Sequence, residues 1–151
     1  VVEQILGALN IFDVPATALV LEVTESAIMS DLKLSARVLE SLRENGARVS
    51  IDDFGCGYSS FEYLKNFPAT ELKMDKSVVF EITRSALAAL LVRSMIDLAH
   101  NPDIVATAEG VEDQETADML SGMGCDFAQG YFYGRPKPAE EFIREILNSP
   151  N

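Results

Sequence analysis

The chain has 151 residues, one domain's worth or a large piece of a bigger one, with 48% hydrophobic and 24% charged residues, so a soluble core of useful size can form. Its net charge of −12, from 24 acids against 12 bases, excludes a general nucleic-acid binder, which needs a basic footprint to displace phosphate counterions. A phosphorylated ligand remains compatible with this charge if divalent metals supply the positive field locally.

Taken in order, Val1–Asn10 reads as a helix, Pro15 closes the loop after it, and Ala18–Thr24 is the first strand. Asp31–Asn45 is amphipathic, with Leu32, Val38, Leu39 and Leu42 on one side, and Gly46 stands where a left-handed C-terminal residue is favoured. Ala47–Phe54 is the second strand, followed by the glycine-punctuated loop Gly55–Tyr58 and a short helix near Ser59–Asn66. Thr70–Asp75 is the third strand, and a long helical stretch covers Val79–His100. Ile104–Glu109 is the fourth strand, Asp113–Met123 a helix ending at Gly124, Asp126–Phe132 the fifth strand, and Ala139–Asn148 a last helix.

Strands alternating with helices predict an α/β fold of right-handed βαβ units around a parallel sheet. No GxGxxG or P-loop follows any strand, which favours a (β/α)8 barrel over an open doubly wound sheet. A complete barrel takes about 250 residues. The expectation is therefore a partial barrel lacking its first strands, with residues 1–151 forming one domain fragment; the absence of an initiator Met and the immediate helical start point the same way. Cys56 and Cys125 fit neither a metal spacing nor a disulfide framework and read as free thiols. The apolar run Ala86–Val92 is too short to cross a bilayer and no signal peptide precedes the first element, so a cytoplasmic location is expected, with any membrane anchor elsewhere in a longer protein.

Polar residues gather at the strand ends: Glu22 and Glu25, Asp52 and Asp53, Lys73 and Asp75, Glu109 and Glu112, and Gln129 within the fifth strand. In a parallel fold these ends emerge on one face, where barrel enzymes place their sites. Each residue also has a plainer reading. A single acid after a strand commonly caps a helix, the role assigned to Asp31 and Asp113. Lys73 alone is equally a salt-bridge partner, Gln129 alone a buried amide satisfied by backbone, and His100 a helix C-terminal cap. Asp52-Asp53 resists that treatment, because adjacent carboxylates in an apolar strand repel and lose hydration. Metal binding relieves both costs, and hard oxygen ligands suit Mg²⁺ or Mn²⁺.

The segments LEVTES (21–26), DDFGCGYSS (52–60), LKMD (72–75), AEGVE (108–112) and QGYFYGRP (129–136) resemble, in order and spacing, the EAL-domain phosphodiesterases, which hydrolyse cyclic di-GMP to linear pGpG. The resemblance implies a modified (β/α)8 barrel with one antiparallel strand and a site holding two Mg²⁺ or Mn²⁺ ions. It implies that Glu22, Asp52 and Glu109 bind the catalytic metals, and Asp53 the second metal. It assigns Lys73 to polarising the attacking water with Asp75 beside it, Glu112 to a supporting acid, and Gln129 to a place near metals and substrate. Glu25 matches the glutamate that steadies the DDFG loop, a loop tied to homodimerisation in the family. Sensory or GGDEF domains in a longer parent chain are compatible with it.

Three departures stand out. The name-giving Glu-Ala-Leu segment and the metal-binding Asn on the next strand have no counterpart in these residues, so impaired activity of the chain by itself is expected. Cys56 replaces a small residue such as Thr, and Asn101-Pro102-Asp103 departs from the usual turn on the opposite face. The alternative function is an inactive EAL domain that senses cyclic di-GMP or binds a protein partner. An unrelated metal-dependent barrel lyase would require every motif match to be accidental.

Overall fold

The structure is a computed structural model that describes residues 1–55, 64, 67–101 and 103–148. Its elements are α1 (Val2–Ile11), a 3₁₀ turn (Ala16–Ala18), β1 (Val20–Thr24), α2 (Glu25–Ser30), α3 (Leu32–Glu44), β2 (Arg48–Phe54), β3 (Glu71–Met74), α4 (Lys76–Val79), α5 (Ala86–His100), β4 (Val105–Ala108), α6 (Gln114–Gly122), β5 (Phe127–Ala128) and α7 (Ala139–Asn148). The five strands are all parallel and stand in sequential order, β1-β2-β3-β4-β5. A doubly wound sheet reverses its strand order at a switch point. This sheet has no reversal among the described strands, and the arrangement is that of a partial barrel.

Local chemistry accounts for most element boundaries. Asp31 accepts from the Leu34 N–H at 3.0 Å and Asp113 from the Thr116 N–H at 2.7 Å, the capping roles read from the sequence. At the end of α3, Gly46 adopts φ +97° and its N–H reaches Arg43 O, while the Ala47 N–H reaches Leu42 O. That pair of bonds is a Schellman motif, which satisfies carbonyls the helix leaves unpaired.

Two expected elements differ. The long helix Val79–His100 is two helices, because Asp75 caps an earlier start by accepting from the Ser77 N–H, and Ser85, with extended backbone, caps a second start by accepting from the Ala88 N–H. The fifth strand is confined to Phe127–Ala128 instead of Asp126–Phe132, since the chain beyond it turns to bond the loop after β4. The short helix expected near Ser59–Asn66 lies outside the described residues except for Leu64, and Cys56 lies outside them as well. His100 sits in the last turn of α5 as expected, but its Nε2 meets Asp126 Oδ2 at 2.8 Å, tying that helix end to the start of β5. No described helix is long and apolar enough to cross a membrane.

Strand alternation divides the sheet into two faces. Val49, Ile51, Leu72, Met74, Ala106 and Ala108 are fully buried on the face covered by helices, against Ile28, Leu39, Val92, Ile96, Ala99 and Leu120. Each large side chain there contributes roughly 1.5–3 kcal/mol by leaving water. The alternate positions, Glu22, Ser50, Asp52, Glu71, Lys73 and Thr107, lie on the other face.

Candidate active site

The pairing of β2 with β3 aligns Ile51 with Leu72 and Phe54 with Met74, leaving Asp52 and Asp53 opposite Lys73 alone. This is a β-bulge, one extra residue that breaks the alternation and re-aims its neighbours. By strict alternation Phe54 would share the polar face with Ser50 and Asp52. The bulge returns it to the core, where it is fully buried. Asp53 takes the extra position with φ +55°, is exposed, and leaves Asp52 facing Lys73. Two neighbouring carboxylates thereby both escape the apolar core.

Lys73 is the centre of the site. It is only 7% exposed, and its Nζ lies 2.7 Å from Glu109 Oε1, 3.0 Å from Glu22 Oε1 and 3.5 Å from Asp52 Oδ1. Three different neighbouring elements deliver these acids: β1, β2 and the residue just beyond β4. Burial by itself would lower the Lys73 pKa. The hydrogen bonds to Glu109 and Glu22, with the added attraction of Glu109 and Asp52, outweigh it and raise the pKa above the ordinary 10.5. Lys73 is therefore a fixed ammonium in this arrangement, able to donate hydrogen bonds and positive field but not to accept a proton near neutral pH.

The remaining candidates occupy distinct places. Glu25 is buried, and its Oε2 accepts from the Gly55 N–H at 3.5 Å, at the start of the glycine loop. Gly55 has φ +98°, a conformation costly for any residue with a Cβ. Asp75 caps α4 through Oδ1. Glu112 is exposed and lines a cleft of about 250 Å³ with Lys76, Glu109, Gly110, Gln129 and Tyr131. Gln129 is exposed too, anchored by backbone bonds from its N–H to Ala108 O and from the Val111 N–H to its carbonyl. Glu22, Asp52 and Glu109 are thus brought together on Lys73, Glu112 and Gln129 stand at the adjoining rim, and Asp53, Glu25 and Asp75 stand outside the ion-pair cluster.

Sequence reasoning passed over Lys76 and Glu71. Lys76 borders the same cleft as Glu109, and a Cβ on Gly110 would collide with its side chain, so glycine permits this close approach. Glu71 precedes Lys73 by two residues on the same face and takes a hydrogen bond from the Thr107 hydroxyl. The i, i+2 spacing was the available signal.

Hard carboxylate oxygens of this kind match a divalent cation such as Mg²⁺ or Mn²⁺. Asp52 Oδ1 is buried with no hydrogen-bond partner among the described residues, although the Lys73 charge is near it. Among the described residues no three acid, histidine or cysteine side chains are closed into a metal cage. The acids turn instead toward the ammonium. The donor chemistry fits a hard cation, and Lys73 offsets only one of the three carboxylate charges in this arrangement.

Cys125 is a free thiol whose pKa is pushed up to about 11, first by burial, so it stays protonated and unreactive at neutral pH.

The profile of the EAL domain matches residues 1–136. The chain is 42% identical over 143 residues to the signaling protein YkoW of Bacillus subtilis, covering 95% of this chain and 18% of that protein. It is 39% identical over 145 residues to the bifunctional diguanylate cyclase/cyclic di-GMP phosphodiesterase MucR of Pseudomonas aeruginosa, covering 96% of this chain and 21% of that protein. The solved MucR phosphodiesterase in complex with c-di-GMP superposes with a TM-score of 0.89 at 40% identity, over 93% of this chain and 57% of that one. A manganese/cy-diGMP complex of BlrP1 from Klebsiella pneumoniae has a TM-score of 0.83 at 30% identity, over 89% of this chain and 34% of that one. The chain thus spans about a fifth of the curated relatives and little more than half of the MucR domain structure.

Proposed function

This chain belongs to the EAL-domain family, and from that premise we propose that it carries the larger part of a metal-dependent phosphodiesterase site that hydrolyses cyclic di-GMP to linear pGpG. The observation that carries the reading is the convergence of Glu22, Asp52 and Glu109 on the buried ammonium of Lys73. Relatives with phosphodiesterase names and a solved c-di-GMP complex at 40% identity support the substrate class.

Glu22, Asp52, Asp53 and Glu109 are the residues proposed to hold two Mg²⁺ or Mn²⁺ ions. Such ions lower the pKa of a bound water and stabilise charge on a scissile phosphate. Lys73, held as a donor at the strand ends, would orient an attacking water and add positive field where negative charge grows. Glu25 steadies the loop that begins at Gly55, and so the bulge carrying both aspartates. Gln129 and Glu112 line the cleft beside Glu109, where one end of the ligand is expected to bind, and Asp75 fixes the turn that follows Lys73. Pairing into homodimers and fusion to sensory or GGDEF modules belong to the same reading.

The test is product analysis. Cyclic di-GMP incubated with the complete domain and Mg²⁺ or Mn²⁺ is expected to yield pGpG by chromatography, with formation stopped by a chelator. Tight binding without turnover would instead establish a sensor.

A further inference from the structure

Lys76 is a cation that the ion pairs of the site do not use. Lys73 carries the contacts to Glu109, Glu22 and Asp52, whereas neither Lys76 nor Glu112 has an ion-pair partner among the described residues. The backbone fixes where Lys76 stands. The Glu109 N–H bonds Met74 O at 3.1 Å, which brings the start of α4 against the loop after β4. Gly110 then lies so close to Lys76 that a Cβ there would strike the Lys76 Cβ and come within 3.3 Å of its Cα. The lysine stem thus rests on Gly110, beside the cleft of about 250 Å³ that Lys76 shares with Glu109, Glu112, Gln129 and Tyr131. The Arg135 guanidinium stands over the Tyr131 ring, 4.4 Å from its centroid, and steadies that aromatic wall.

This lining is mixed in charge and in hydrogen-bonding character. With Glu109 assigned to a metal, the cleft offers one ammonium, one carboxylate and one amide, a set close to neutral. A phosphate placed there would face the Glu112 carboxylate as well as Lys76 and would gain little. A neutral group that presents both acceptors and donors satisfies the whole set. Guanine does so, with O6 and N7 as acceptors, its ring N–H and amino group as donors, and a flat face for Tyr131. At about 250 Å³ the cleft is smaller than sites for drug-sized ligands and suits a single base. We propose that this cleft is a guanine subsite in which Lys76 determines specificity, donating to O6 and N7 while Glu112 accepts from the amino edge. An adenine in the same place would turn its amino group toward the Lys76 ammonium, donor against donor, and be selected against. The proposal rests on the reading of the adjoining acids as the place where a cyclic dinucleotide binds.

Calorimetric titration of the complete domain with cyclic di-GMP and with cyclic di-AMP tests it in the parent, Lys76→Met and Lys76→Glu, with a chelator present so that neither ligand is hydrolysed. Lys76 is exposed, so neither substitution burdens the core. Lys76→Met is expected to weaken cyclic di-GMP about tenfold. Lys76→Glu, which turns the donor into an acceptor, is expected to weaken cyclic di-GMP further and to bind cyclic di-AMP more tightly than the parent does. Unchanged cyclic di-GMP affinity in Lys76→Met overturns the proposal. So does cyclic di-AMP bound no more tightly by Lys76→Glu, the result expected of a lysine that holds a phosphate, since both ligands carry the same phosphates. Formation of pGpG by the parent, measured with Mn²⁺ beside these titrations, separates this from the hydrolysis reading. A parent with the Lys76-dependent preference but no turnover defeats hydrolysis and leaves the subsite standing. Turnover with a preference indifferent to Lys76 defeats the subsite alone, and a parent that binds neither dinucleotide overturns the subsite as well.

Discussion

Lys73 Nζ lies 2.7 Å from Glu109 Oε1, the shortest of its three carboxylate contacts, and this pair joins β3 to the end of β4 at the mouth of the site. Removing the ammonium leaves Glu22, Asp52 and Glu109 facing one another without compensation. Lys73 is nearly buried while its partners are partly exposed, so the loss is reduced from that of a fully buried pair to about 1–3 kcal/mol. Lys73→Ala is therefore expected to unfold several degrees below the parent at pH 7. Because the folded-state pKa is raised, the stabilisation is complete below about 10.5 and is lost only as pH climbs through the higher folded value. Equal melting temperatures at pH 7 would refute the account of this cluster.

Gly130 lies against the backbone of Val111 so closely that a Cβ would fall inside the contact distance of the Val111 nitrogen and carbonyl oxygen. The same two segments exchange bonds from the Val111 N–H to Gln129 O and from the Phe132 N–H to Val111 O. Gly130→Ala is expected to force them apart, costing about 1–3 kcal/mol and displacing Gln129 from the cleft beside Glu109. Denaturant unfolding measures the first effect, and weakened cyclic di-GMP binding the second. A variant indistinguishable in both would mean that this loop contact does not position the rim.

Much of this architecture was legible in the sequence, and its failures have definite causes. Asp31 and Asp113 are recognisable as caps because a capping acid acts on amides three residues away, a purely local relation. The strand-end acids are recognisable because parallel strands must present their ends together. The bulge at Asp52-Asp53 was not legible, since an extra residue is defined only by what β3 offers opposite it. The fifth strand was overestimated because Gly130 meets Val111, a contact far apart in sequence. The break at Phe80–Arg84 was hidden by apolar residues that continue a helical pattern, while the caps at Asp75 and Ser85 decide where the helices begin.

Asp126 accepts from the Ala106 N–H and meets His100 Nε2, both at 2.8 Å. Burial opposes its ionisation, but the bond from Ala106 and the contact with His100 prevail and hold its pKa below the ordinary 3.8. A lowered carboxylate pKa contributes stability that is complete above about pH 4 and is lost as pH falls toward the folded value. Asp126→Ala should lose on the order of 1 kcal/mol at pH 7 and show a shallower acid-induced decline below pH 4. Melting curves between pH 2.5 and 7 provide the check, and an unchanged acid limb would contradict the assignment.

On the proposed reading the acids gathered around Lys73 form the catalytic centre of a cyclic di-GMP phosphodiesterase, and Asp52 is the member most dependent on the bulge. Asp52→Asn keeps the shape and removes the charge. The most direct measurement is the rate of Mn²⁺-dependent pGpG formation by the complete domain carrying this substitution. A fall of at least about 100-fold with the fold intact is predicted. Turnover equal to the parent's would contradict the claim.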